Sequence, residues 1–201
     1  MSLLVKVTPA PVRERLVIFV VDMNEKINGH AMEMTKLLLE DSIRMINEVM
    51  TANVDDVKFK ISILQYGGCN WITSDTKSID LDDFFLNDYA QHDMKGIKNA
   101  LTELNLKLDK KEFLKSNVGS FVPVIIFIGS GHTNENIDKE IRELKDNNWY
   151  KHAIKLAIIT DSESDIKLYE RIIGNAETIF TINNSDAYLK IFNRLSYDYT
   201  S

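Results

Sequence analysis

Residues Leu16-Val-Ile-Phe-Val-Val21 are six consecutive apolar positions ending at Asp22. A strand with one wetted face alternates apolar and polar side chains. An unbroken run made mostly of β-branched and aromatic residues must instead be covered on both faces. Strands of that kind belong to parallel sheets that carry helices on either side, so this segment alone points to a layered α/β architecture.

The remaining segments supply the expected alternation. Leu39, Ile43, Ile46 and Met50 fall at i, i+4, i+7 and i+11 and predict a helix over residues 31–50. Lys58 to Gln65 reads as a strand, broken at Tyr66-Gly-Gly68, with Asn70-Trp-Ile-Thr73 returning as a short antiparallel edge. Asp75 to Asn87 reads as loop with Leu81, Phe84 and Phe85 tucked in, and Ile97, Leu101, Leu104 and Leu108 mark a helix from Met94 to Lys110. Val122 to Ile128 is a buried strand that tolerates Pro123 near its start and ends in Gly129-Ser-Gly131. Asn134 is expected to cap a helix through Asn148, with Ile137, Ile141 and Leu144 inward. A strand over Ala153–Thr160 ends at Asp161. A short helix from Ser164 to Ile173 closes at Gly174, and a strand spans Ile179–Ile182. Ser185 caps a last helix with Tyr188, Ile191, Phe192 and Leu195 on one face. The expectation is a three-layer, doubly wound, mainly parallel six-stranded sheet with one short antiparallel edge strand. It forms a single domain over residues 1–201 with its core at about 14–197.

Composition narrows the function. A chain of 201 residues buries roughly 70% of its unfolded surface and needs no disulfides. The single Cys69 cannot form an internal bridge and suits a reducing compartment. A net charge of −6 argues against nucleic acid or an anionic membrane as partner. The apolar runs are far shorter than the roughly 20 residues of a membrane helix, and the N-terminus lacks a signal-peptide layout. A cytoplasmic location is expected.

In an open parallel sheet, ligands bind beyond the C-terminal strand ends. The sequence delivers Asp22 and Asn24 there, then Gln91, His92 and Asp93 before the second helix, then Gly129-Ser130-Gly131, and Thr160-Asp161. Laid out in this order, the chain resembles a von Willebrand factor A domain, most closely the compact bacterial kind of tellurium-resistance TerY-like proteins. The cues are Val-Val-Asp22 and the long helix after it, Ile-Ser-Ile-Leu-Gln-Tyr-Gly-Gly68 with Asn-Trp-Ile-Thr73, and Met94–Leu101. Val-Ile-Ile-Phe-Ile128 with its Gly-x-Gly turn, Leu-Ala-Ile-Ile-Thr-Asp161 with Asp165 and Leu168, and the Phe180–Ser196 tail complete them.

The resemblance implies an Mg²⁺ or Mn²⁺ site made by an Asp-x-Ser-x-Ser motif, a Thr and a Thr-Asp-Gly turn, which suits a hard cation that takes oxygen ligands. Here the first motif reads Asp22-x-Asn24-x-Lys26, the Thr position falls at Gln91 or Asp93, and the turn reads Gly129-Ser130-Gly131. An amide at Asn24 can ligate, whereas the Lys26 ammonium only donates and repels a cation. The expected site is therefore degenerate and metal-free, with remnants at Asp22, Asn24 and Asp93, and the Lys26 ammonium is expected in the metal's place. No cofactor is expected.

Other motifs are poorer guides. Gly129-Ser-Gly131 lacks the spacing and the Lys-Ser of a phosphate loop. Ser130 with His132 has no nucleophile elbow, and the four His are scattered. Trp71, Phe84, Phe85, Trp149 and Tyr150 lie in or near loops and are read as core or rim before partner patch. The expected function is a non-catalytic protein-interaction module that recognises its partner through Asp22, Asn24, Lys26, Gln91, Asp93 and Ser130. The resemblance adds work beside a protein kinase and a metal-dependent phosphatase in bacterial stress signalling. The alternatives are a divalent-metal-dependent adhesion module and an Asp-based phosphohydrolase. The latter class needs Asp-x-Asp where this chain has Asp22-x-Asn24.

Overall fold

The computed structural model describes residues 13–22, 29–52, 57–66, 70–73, 96–115, 119–131, 133–160 and 166–181. Their strands are β1 (Arg13–Asp22), β2 (Val57–Tyr66), β3 (Asn70–Thr73), β4 (Val124–Gly129), β5 (Ile154–Ile159) and β6 (Ile179–Thr181). Their helices are α1 (Gly29–Ala52), α2 (Ile97–Lys107), α3 (Asp138–Asp146), α4 (Asn148–His152) and α5 (Ile166–Ile173). The strands form one sheet in the order β3-β2-β1-β4-β5-β6, in which only β3 runs antiparallel. This is the expected mainly parallel sheet with its antiparallel edge. None of the described helices is long and apolar enough to cross a membrane.

The doubly apolar run sits where its composition requires. β1 lies between β2 and β4, and every residue from Leu16 to Val21 is buried. Leu16, Ile18 and Val20 face one way and join Leu101 and Leu104 of α2, Ile141 and Leu144 of α3, and Leu168 and Ile172 of α5. Val17, Phe19 and Val21 face the other way and meet Leu38, Leu39, Ile43 and Ile46 of α1. The period of two along the strand thus feeds two separate cores, giving three layers. β1 also starts earlier than its apolar run. Arg13 and Arg15 extend it in register with Val57 and Phe59, and both guanidinium groups stack on Phe121, at 5.5 and 5.1 Å from the ring centre.

Two helix expectations are corrected. Asn134 caps nothing, because short polar turns occupy this loop. The Glu135 N–H donates to Thr133 Oγ1 (3.1 Å) and the Asp138 N–H to Asn136 Oδ1 (3.2 Å), so α3 begins only at Asp138. The helix expected to run through Asn148 is also cut. Asn147 adopts an extended backbone and its side chain accepts from the N–H groups of Trp149 and Tyr150, starting α4 anew. The second helix is shorter than Met94–Lys110, since Leu108 leaves helical geometry while staying buried. Gly174 closes α5 as expected, at φ +84° with its N–H on the Glu170 carbonyl (2.8 Å). The loop over Asp75–Asn87, the Met50 side chain and the last helix from Ser185 lie outside the described residues.

Candidate functional site

The strand order reverses direction between β1 and β4: the chain leaves β1 for β2 on one side and later continues from β4 to β5 on the other. The ends of these two strands flank the switch point where ligands of such sheets bind. They bear Asp22 and Gly129-Ser130-Gly131.

Asp22 is 3% exposed. The Ser130 hydroxyl donates to its Oδ2 at 3.4 Å, across 108 residues of chain. One step beyond the Val21–Ile128 pair, Asp22 stands beside Gly129, and in β2 it is in register with Tyr66. A Cβ on Gly129 would lie 2.5 Å from the Asp22 Cβ, 3.1 Å from the Tyr66 hydroxyl and 3.0 Å from the Tyr169 hydroxyl. Three polar side chains from β1, β2 and α5 therefore converge over a position that has no side chain of its own.

The Tyr66 hydroxyl donates toward Asp22 and faces Tyr169. Burial, then the neighbouring Tyr169 and the Asp22 charge, push its ionisation well above the usual tyrosine range. Tyr169 is fully enclosed, tilted against Phe127 at 6.3 Å between ring centres. Burial and the Asp22 charge raise its ionisation too. Among the described residues its hydroxyl meets no partner at ordinary hydrogen-bond geometry. Both phenols stay protonated at neutral pH, and the Tyr66 hydroxyl is the one that donates to the carboxylate.

Around this cluster the strand-end loops are tied down. The Thr160 N–H donates to the Gly129 carbonyl (3.2 Å), and the buried Thr160 Oγ1 has no partner among the described residues. Gly131 turns the chain at φ +74°, a conformation in which glycine carries no steric penalty. Glu135, farther along the same loop, accepts from the Lys98 N–H (3.1 Å) beside Gly96. It thereby places an anion at the N-terminus of α2.

Of the expected site residues, Asp22 and Ser130 are brought together. Asn24, Lys26, Gln91 and Asp93 lie outside the described residues, as do Cys69, His132, Asp161 and Asp165. Tyr66 and Tyr169 were missed. In the sequence Tyr66 reads as part of a break, although it continues the parity of Leu64 on the Asp22 face of the sheet. For Tyr169 no local signal exists. Tyr150 is fully buried and is core rather than patch, and Trp149 packs against the same core.

Among the described residues the donor set does not by itself make a site for a divalent cation. It offers one carboxylate, already accepting from Ser130 and Tyr66, with phenols where further anionic oxygens are required. Among the described residues no three His, Cys, Asp or Glu side chains cluster as a metal site.

The sheet order and its flanking helices make a von Willebrand A/Rossmann-like α/β fold. No family model and no curated protein matches the chain. Among solved structures it is similar to proximal thread matrix protein 1 from the mussel byssus, with TM-score 0.63 and 14% identity over 90% of this chain and 47% of that one. A form of that protein with a zinc-occupied MIDAS motif gives TM-score 0.57 and 15% identity over 92% and 45%. The pilus adhesin SpaC from Lactobacillus rhamnosus GG gives 0.60 and 10% over 93% and 30%. The chain thus spans about half the length of the mussel protein and under a third of the adhesin. At these identities the likeness establishes the fold.

Proposed function

We propose that this chain is a non-catalytic protein-interaction module of von Willebrand A type that receives a partner at the C-terminal edge of its sheet without a bridging cation. The observation that carries the reading is Asp22 at the switch point, joined to Ser130 above a bare Gly129. The first acid of the family's metal motif is kept, while the turn that supplies its second acid is Gly-Ser-Gly. The two named neighbours, a thread matrix protein and a pilus adhesin, favour a binding role. In this proposal the partner is read at this strand end by Asp22, Asn24, Lys26, Gln91, Asp93 and Ser130. The TerY-like resemblance extends it to cytoplasmic bacterial stress signalling beside a kinase and a phosphatase.

A phosphohydrolase is disfavoured by the burial of Asp22, since a nucleophilic carboxylate has to reach its phosphate. The metal-dependent adhesion reading draws on the zinc-bearing mussel neighbour and on the Asp22–Ser130 contact. The deciding experiment immobilises the protein and captures partners from an extract of its own source, in Mg²⁺ and in EDTA. A specific protein retained equally in both, and lost at least about tenfold with Ser130→Arg, is the expected result. Retention abolished by EDTA would establish the adhesion reading instead. Turnover of phosphate esters that disappears in Asp22→Asn would establish an enzyme.

A further inference from the structure

We infer that Tyr66 is a positioning residue for Asp22, a phenol hydroxyl that holds the carboxylate from beneath and takes the part of the cation at this strand-end site, with Tyr169 closing the space behind it. This deepens the ion-free reading above by naming the group that replaces the ion.

A buried carboxylate is tolerated only when donors satisfy it. Ser130 supplies one, at the long distance of 3.4 Å. Tyr66 supplies another from below. Tyr66 sits level with Asp22 on the neighbouring strand, so its ring rises on the same face, where the hydroxyl reaches the carboxylate. Tyr169 arrives from α5 across the same small space and closes it from the helix side, its hydroxyl pressed toward Tyr66 and Gly129. The sequence read alone assigned the ion's place to the Lys26 ammonium. Tyr66 meets that need with a group of the sheet itself.

Gly129 makes the arrangement possible, because any side chain there would occupy the space where both hydroxyls and the Asp22 Cβ meet. Glycine at the end of β4 and tyrosines on β2 and α5 are thus one device spread over three elements. A lock made of neutral donors differs from an ammonium or a metal in one respect: it adds no positive charge.

The test is a double-mutant cycle with Tyr66→Phe and Asp22→Asn, read by urea unfolding, together with Mn²⁺ titration of the unaltered protein followed by water-proton relaxation. The expected result is non-additivity of about tenfold or more in the unfolding constant, because a hydrogen bond to a charged group is lost once and not twice. No saturable Mn²⁺ binding is expected up to about 5 mM, well above the affinity of a working divalent site. Additive substitutions, within about twofold, would overturn the inference. So would saturable Mn²⁺ binding that Asp22→Asn abolishes. Where either variant fails to fold, the Mn²⁺ titration of the unaltered protein decides by itself. Partner capture is scored separately. Strong coupling with no captured protein sinks the interaction reading and leaves the lock standing.

Discussion

Alanine at Gly129 would have to drive its Cβ against the Cβ of Asp22, 2.5 Å away, and neither atom belongs to a flexible end that can swing clear. Strand β1 or β4 must shift, or the aspartate must leave its hydrogen bonds. Overpacking of this kind is expected to cost Gly129→Ala about 2–3 kcal/mol, measured by urea unfolding. Gly96→Ala is the control. Its new Cβ meets only the Glu135 carboxylate, the mobile tip of a long side chain, and its backbone (φ −75°) suits any residue. The loss there should stay within about 1 kcal/mol, reflecting the Glu135 contact with the Lys98 N–H. Equal losses at the two glycines would contradict the packing argument. The same contrast shows which part of the site was legible. Asp22 and Ser130 announce themselves because each follows an apolar run that can only be a central strand. Tyr66 and Tyr169 do not, since a tyrosine at a strand end or on a short helix looks like ordinary core until the register sets it beside an acid.

At the scale of elements, strands were easier to place than helix ends. A doubly buried strand writes its burial into consecutive residues, whereas a helix terminus depends on which of several Asn, Thr and Ser side chains finds a backbone N–H. The sequence points to a cap at Asn134, whereas in the structure it is Asn147 whose side chain caps a helix here. Asn147 prevails because its amide serves two segments at once. Its Oδ1 caps α4, while its Nδ2 donates to the Asn105 carbonyl (3.3 Å), the Asn105 side chain (3.0 Å) and the Leu108 carbonyl (3.2 Å) at the end of α2. Asn147→Ala removes the cap and the cross-links and is expected to cost about 2 kcal/mol in urea unfolding. Asn147→Ser keeps a capping oxygen but not the reach to α2, so about half the loss should return. If serine proved no better than alanine, the cap would contribute nothing and the bridging amide everything.

Across the whole molecule, one consequence comes from where the tyrosines lie. Tyr66, Tyr150 and Tyr169 are each buried, from three different elements, and each has its ionisation raised above the usual value, with burial the largest cause. A group whose proton is held more tightly in the folded chain stabilises it fully below the unfolded value, near 10 for tyrosine, and loses that contribution as pH rises beyond it. All three act in the same direction. Stability should therefore hold to about pH 9.5 and then fall, the slope approaching about 4 kcal/mol per pH unit, or roughly 1.4 for each phenol. Lys155 opposes them weakly. Its ionisation is lowered by burial and by Lys145, so its share rises with pH only until the unfolded lysine value near 10.4 is passed. Tyr150 isolates the effect because it lies away from the strand-end cluster, its hydroxyl donating to the Ile172 carbonyl at 2.9 Å. Tyr150→Phe is expected to lose about 1–3 kcal/mol at neutral pH by orphaning that carbonyl. It should also flatten the alkaline slope by about a third, measured as urea-unfolding free energies between pH 8 and 11.5. An unchanged slope in this variant would mean that the buried phenol ionises as readily in the folded chain as in the unfolded one.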